Sequence, residues 1–249
     1  MAADQEPSAG AGQAAEVNEA TGVPSRRTAL TGLAVTALAA SAATAGPAWA
    51  QSAPSVHGRG HGRHGWIEES FFCETPKDVI VNTHGGLTPA APLPPGVARF
   101  TDARLKRTLA FGGLLRDAEG TVVGYGTELE TLLPESTPES GIMRSRSAWL
   151  LHLPGRGTIF YDEVEDKTDV AATIFQPALE SGKPWVGDRT VVSTVGPGKD
   201  GRGVISGGTE EFEGIRGSGV EHARVRRFDP VALVMEATFE LCFRYRLPR

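Results

Sequence analysis

The sequence predicts an all-β fold, a sandwich or an up-and-down barrel. Three observations carry this. Glycine is abundant, at 31 of 249 residues, which points to many tight turns rather than long helices. Short apolar stretches, roughly seven to nine of them, recur between Gly- and Pro-rich turn signals. The last stretch alternates strictly: Ala237, Phe239, Leu241, Phe243, Tyr245 and Leu247 interleave with Thr238, Glu240, Cys242, Arg244 and Arg246. That period of two marks a strand with one buried face.

The elements follow in chain order. Ser25-Arg26-Arg27-Thr28 opens a mildly apolar run to Ala45, and Ala48-Trp49-Ala50 follows as an A-x-A cleavage pattern. Together they read as a twin-arginine export signal over residues 1–50. The run is too rich in Ala and Thr, and too soon ended by Gly46-Pro47, to be a stable membrane span. The protein is therefore expected to be exported, and to act in the periplasm or outside the cell. Residues 51–65 carry His57, His61 and His64 among glycines and arginines, read as a flexible solvated tail rather than a metal site. From Trp66 to the end the chain reads as one domain. Leu105 to Leu115 and Thr121 to Leu132 are apolar stretches joined by a hairpin at Arg116 to Gly120. Met143 to Leu153 and Thr158 to Val164 form the next pair, joined at Pro154 to Gly157. Thr190 to Val195 and Gly203 to Ser206 flank a turn at Gly196 to Gly201.

Composition and motifs exclude several function classes. The formal charge is -5, from 25 Lys+Arg against 30 Asp+Glu. Removing residues 1–50 takes away two arginines and four acids, leaving 23 against 26, or -3. Neither balance offers general attraction to a phosphate backbone, so no nucleic-acid partner is expected. There is no phosphate-binding loop, no dinucleotide fingerprint, no paired-histidine zinc helix and no Gly-x-Ser-x-Gly elbow. His84, His152 and His222 are widely spaced and read as ordinary strand or surface histidines. Cys73 and Cys242 lie near the two ends of the domain. A closed barrel would make its first and last strands neighbours, so a disulfide and two isolated buried thiols are both open readings.

The most specific segment is Ile205-Ser-Gly-Gly-Thr-Glu-Glu-Phe-Glu-Gly-Ile-Arg-Gly-Ser-Gly-Val220. A Gly-Gly pair, a hydroxyl residue, a Phe and a later Gly describe a tight connection into a new strand, with Phe212 plugging a barrel end. This resembles the signature shared by allene oxide cyclases and dirigent proteins, Gly-Gly-Thr/Ser-Gly-x-Phe-x-x-x-x-Gly. Glu210 departs from it, standing where the signature has glycine. Asp117 to Gly126 resembles the hairpin of the same families. The resemblance covers about Leu105 to Leu247, with an insertion around Thr168 to Asp188.

The resemblance implies an eight-stranded antiparallel up-and-down barrel with a lipophilic central cavity, as a dimer or trimer. It implies a cofactor-independent cyclase or isomerase acting on a hydrophobic, polyketide- or fatty-acid-like metabolite, with no metal and no organic cofactor. The alternative is a dirigent-like or carrier protein that binds a lipophilic ligand without chemistry of its own. The cyclase pattern places a cavity residue six positions beyond Gly124, at Glu130, with Glu128 on the same face by period two. A carboxyl in an apolar cavity can serve as acid or base. Simple alternation gives the opposite register, with Tyr125, Thr127 and Leu129 inward and both glutamates in solvent. Arg216 matches a cavity-facing dirigent arginine, although a solvated arginine fits equally. Phe160, Tyr161 and Asp162 lie on a cavity-lining strand, and Phe160 is taken as the lining residue. The apolar face of the last strand adds Phe239, Leu241, Phe243 and Tyr245.

Overall fold

The computed structural model of the chain describes residues 60–61, 65–86, 97–137 and 139–248. The expected export signal lies outside them, as does the expected tail apart from Gly60, His61 and Gly65. Twelve strands make one sheet among the described residues: β1 (Gly60–His61), β2 (Ile67–Thr75), β3 (Val79–His84), β4 (Thr108–Arg116), β5 (Val122–Leu132), β6 (Arg144–Leu153), β7 (Gly157–Asp166), β8 (Trp185–Val192), β9 (Thr194–Gly196), β10 (Gly203–Gly208), β11 (Arg216–Asp229) and β12 (Val234–Arg246). Eight of them close a ring in the order β2-β12-β11-β10-β7-β6-β5-β4 and back to β2. Every pairing is antiparallel, and Phe72 opposite Arg116 completes the circuit. Closure removes the open sheet edges that a flat sheet would leave.

A single β2–β4 bridge is a narrow closure, and a buried ion pair reinforces it. Arg116 Nη2 lies 2.7 Å from Asp78 Oδ1, and the Asp78 side chain is fully buried in the β2–β3 turn. Asp78 Oδ2 also accepts from the Glu74 backbone N–H at 3.0 Å. Charge-assisted bonds of this kind fix geometry as well as energy. Around the ring, alternate residues point inward. On β12 these are Met235, Ala237, Phe239, Leu241, Phe243 and Tyr245, as the alternation predicts.

The two ends of the barrel differ. At one end Phe212 is fully buried and packs edge-on against Tyr245, with ring centroids 6.1 Å apart. Arg156 lies over Phe212, its guanidinium carbon 4.9 Å from the ring centroid, and pairs with Glu69 at 2.6 Å and Glu211 at 3.2 Å. Glu210, one step before this plug's acidic partner, has φ 54. That is the left-handed conformation glycine adopts at no cost and other residues adopt at roughly 1 kcal/mol. The turn thus has a glycine-like backbone at a glutamate. Gly157 on the facing turn is required: a Cβ there would meet the Thr209 carbonyl oxygen at 2.2 Å.

At the other end the insertion forms a helical segment and then β8. The segment runs through Thr168–Val170, a π turn over Ala171–Phe175, and Gln176–Ser181. It stops at Gly182, whose φ of 66 supplies the left-handed cap. Its buried face, Val170, Ile174, Phe175 and Ala178, packs on Val225, Phe228, Met235 and Ala237 from β11 and β12. β8 then pairs with β11, and β9 with β7, where β10 no longer runs between them. Among the described residues no helix is long and apolar enough to cross a membrane.

Replacing Phe212 with Ala should destabilise the barrel by about 3–5 kcal/mol, the range for emptying a buried aromatic site. Equilibrium urea unfolding of the two proteins measures it.

Candidate functional site

The inward faces of β5, β6, β7 and β11 change character along the barrel. Near the sealed end they carry Gly124 and Gly126, Leu153 and Leu151, Ile159 and Tyr161. Continuing in the same phase they carry Glu128 and Glu130, Ser147 and Ser145, Glu163 and Glu165. The register sets these side by side: Glu128 opposite Trp149, Ser147 opposite both Glu130 and Glu163, and Ser145 opposite Glu165. β11 adds Glu221. Glu163 and Glu165 are 0% exposed, Glu221 2%, Glu130 6% and Glu128 7%, so five carboxyl groups lie inside the barrel.

One cation serves them. Lys167 follows β7, where its backbone N–H donates to the Met143 carbonyl at 2.7 Å. Its side chain turns back into the barrel, with Nζ 2.9 Å from Glu130 Oε2 and 3.0 Å from Glu165 Oε1. Hydroxyl and indole donors satisfy most of the rest. Ser145 donates to Glu165 Oε2 at 3.2 Å, and Ser147 donates to the same oxygen. Glu163 accepts from Trp149 Nε1 at 3.0 Å, from Tyr161 OH at 3.1 Å, and from the Thr194 hydroxyl. Ser193 donates to Glu221 Oε1 at 2.9 Å. Glu128 differs: its buried Oε1 has neither a hydrogen bond nor an ion pair, whereas Glu165 Oε1, also without a hydrogen bond, is ion-paired with Lys167.

These surroundings move the titrations. Burial, then the neighbouring Glu165, pushes Glu163 up to about 8. Burial and the Glu165 charge also hold Glu128 well above the usual carboxylate range. Glu221 is raised by burial, then by Glu165 and Glu163. Desolvation opposes the charge on Lys167, but the carboxylates of Glu130, Glu165, Glu128 and Glu221 together hold it well above its ordinary value. The cluster thus holds an ammonium beside three carboxyl groups, Glu128, Glu163 and Glu221, that keep their protons to higher pH than usual.

Beside the cluster lies a cavity of about 60 Å³, counted as space open to the centres of water-sized molecules. Glu128, Glu130, Glu221 and Lys167 form its charged lining, and Leu109, Phe111, Trp149, Met235 and Phe239 its apolar lining. Glu128 stands between two aromatic neighbours, Phe111 on β4 and Trp149 on β6. Their rings meet at 6.0 Å and 70°. Chemically, the arrangement presents to an apolar space a carboxyl that keeps its proton above the usual carboxylate range, and holds a fixed positive charge close by. Two carboxylate triads, Glu128/Glu130/Glu165 and Glu163/Glu165/Glu221, have oxygens within 4.8 Å of one another, close enough for a metal ion. In the first triad Lys167 already contacts two of the three members.

Of the residues singled out in the sequence, Glu128 and Glu130 point inward, and Leu129, at 58% exposure, points out. The register implied by the resemblance is the observed one. Local alternation misled because the inward residues of this strand are glycines and glutamates, while apolar Leu129 faces out. Arg216 does not reach the cavity: it is exposed at the sealed end, opposite Arg246. Phe160 faces outward and is half-buried, and Tyr161 takes the inward place. Phe239 lines the cavity, whereas Leu241, Phe243 and Tyr245 are packed into the apolar core. Cys73 and Cys242 are both free thiols. They sit on neighbouring strands but on opposite faces, Cys73 across from Phe239 and Cys242 across from Ser70, so a disulfide would need one side chain to pass through the sheet. Burial raises both thiols to about 12.

Sequence reasoning missed Glu163, Glu165, Glu221 and Lys167. A signal was available on β7, where Glu163 and Glu165 continue the phase of Ile159 and Tyr161. Phase, rather than polarity, assigns the face once one part of a strand is fixed.

No family model matches the chain, and no curated protein matches it. Among solved structures, a pterocarpan synthase dirigent protein aligns with 74% of this chain and 86% of its own, at 12% identity and a TM-score of 0.36. An exo-specific intermolecular Diels-Alderase aligns with 73% of this chain and 99% of its own, at 12% identity and a TM-score of 0.33. Neither likeness bears on the chemistry of the interior.

Two outcomes are expected. A carboxyl with a raised folded-state pKa holds its proton more tightly folded than unfolded, so its contribution to stability falls as pH rises between the two values. For Glu163 that window runs from 4.5 to about 8, and Glu128 and Glu221 act in the same direction. Denaturant unfolding should therefore show higher stability at pH 5 than at pH 8, with a shallower slope in Glu163→Gln. Lys167→Met should cost about 3–5 kcal/mol at neutral pH, as expected for removing one side of a buried ion pair. The loss should shrink at pH 5, where the cluster carries more protons, and the same unfolding series measures it.

Proposed function

We propose that the barrel is a cofactor-independent cyclase or isomerase that holds the reacting part of a hydrophobic small molecule in its cavity. The observation that carries this is Glu128: a buried carboxyl with a raised pKa and an unpartnered oxygen, set between Phe111 and Trp149 at the cavity wall. A group of this kind keeps its proton to higher pH than an ordinary carboxyl and can lend that proton to a substrate oxygen or carbon, then take one back. Lys167, held by Glu130 and Glu165, supplies positive charge near any negative charge that develops. The apolar walls restrict the conformers of a flexible chain and so lower the entropic part of the barrier.

The cavity is far smaller than the several hundred Å³ of a typical ligand site. It fits the reacting end of a molecule, with the remainder lying toward the end covered by the helical segment. The Arg26-Arg27 leader supports a place of action outside the cytoplasm. A second reading, a dirigent-like carrier that orients a lipophilic ligand without proton transfer, draws on the other four carboxyls. Each is engaged by a protein donor, which suits a structural role for most of the cluster.

The test starts from a panel of lipophilic ketones and enones screened for binding by ligand-observed NMR. Turnover of the compounds that bind is then followed by mass spectrometry. Glu128→Gln should lower turnover by about 10²–10⁴-fold while leaving binding within a few-fold. Unchanged turnover removes Glu128 from the mechanism. Binding without conversion by the wild type establishes the carrier reading instead.

A further inference from the structure

The cluster carries an excess of acid that its own lysine does not balance. Five carboxyl groups share one ammonium, and that ammonium is committed to Glu130 and Glu165. Glu163 is filled by indole, phenol and hydroxyl donors, and Glu221 by Ser193. Two buried oxygens of the cluster lack a hydrogen-bond partner, Glu165 Oε1 and Glu128 Oε1; the first lies 3.0 Å from the Lys167 ammonium, whereas the second, on the cavity wall, has no ion pair either. A buried acceptor left unpaired is unfavourable and marks a place where a donor or a positive charge belongs. Its surroundings are aromatic: Phe111 and Trp149 flank it across the sheet, and Phe239 shares the cavity.

A carboxyl framed by aromatic rings is the chemistry that holds an organic cation, the rings by their negative faces and the acid by the charge it takes on when the entering cation displaces its proton to solvent. We infer that the cavity is a binding site for a small organic cation, a protonated amine or quaternary ammonium group, with Glu128 as its counter-ion and Phe111, Trp149 and Phe239 as its apolar wall. This rests on the cavity of the proposed function being a ligand site, and it names the charge of the group that enters. A bare divalent ion suits the place less well. It would compete with the Lys167 ammonium for Glu130 and Glu165, and the apolar wall offers it no oxygen.

The experiment uses the full chain at pH 7.5 and constant ionic strength, with the Trp149 indole N–H followed by ¹H–¹⁵N NMR. The probes are n-butylammonium, tetramethylammonium, their neutral counterparts n-butanol and tert-butanol, calcium and magnesium chloride, and cyclohex-2-enone. The expected result is saturable shifts of the Trp149 resonance with the two ammonium ions, at least tenfold tighter than with the alcohols. Glu128→Gln should weaken the ammonium ions tenfold or more and leave the alcohols unchanged. The comparison of charged and neutral probes on the wild type needs no variant, so a misfolded Glu128→Gln does not blunt it. Alcohols binding as tightly as the ammonium ions, unaltered ammonium affinity in a folded Glu128→Gln, or saturation by the divalent ions alone would each overturn the inference. Should cyclohexenone bind and the ammonium ions not, the inference fails while the proposed function stands. Should no probe bind, both fail.

Discussion

The contact of Lys167 with Glu130 and Glu165 is the interaction on which the interior of this barrel depends. Placing five carboxyl groups inside a protein is unfavourable unless each is neutral, paired or hydrogen-bonded. Lys167 holds two of them directly at about 3 Å, and its charge reaches Glu128 and Glu221 as well. Trp149, Tyr161 and Thr194 serve Glu163, and Ser193 serves Glu221. The arrangement ties the position of the chain just after β7 to residues on β5, β6 and β11. The same residue begins the turn into the helical segment that covers this end of the barrel, so charge balance and end closure share one anchor.

The rest of the molecule makes that polar layer tolerable. Toward the sealed end the barrel is filled by Phe71, Leu115, Leu151, Ile159, Phe243 and Tyr245, with Phe212 as the plug. Toward the other end Ile174 and Phe175 pack over Phe228 and Met235. The carboxyl cluster lies between two apolar regions. Limited access to water raises the pKa values of Glu128, Glu163 and Glu221 and gives the cluster's hydrogen bonds weight. The same exclusion makes the unpartnered oxygen of Glu128 conspicuous. Glu163 and Glu221 are raised too, but their donors tie them to the scaffold, which leaves Glu128 as the acid facing free space.

Much of the architecture is legible along the chain. The turn signals at Arg116–Gly120 and Pro154–Gly157 are the observed hairpins, and the alternation from Ala237 to Tyr245 is the observed strand with the inward face as read. The Gly-Gly-Thr segment is the observed end closure, and its Phe212 is the plug. The site is legible only in part. Glu128 and Glu130 could be placed only through the resemblance, because apolar Leu129 between them pulls the local reading the other way. Phe160, expected inward on the same ground, and Arg216, for which a cavity and a solvated position fit equally, both face outward. Each lies one step out of phase with an inward neighbour, and a single-residue shift changes the face of a strand residue.

Patterns of period two and the chemistry of glycine and proline act over a few residues, so the sequence by itself determined the class of fold, its hairpins and the buried face of its last strand. What lies across from each residue is set by register between strands far apart in the chain, as where Ile67 pairs with Tyr245. Tertiary structure alone decided that Glu128, Glu130, Glu163, Glu165 and Glu221 converge, that Lys167 turns back among them, and that Cys73 and Cys242 face opposite sides of neighbouring strands. The physical reason is that a charge in the interior is judged by its neighbours in space, and those neighbours come together only when the barrel closes.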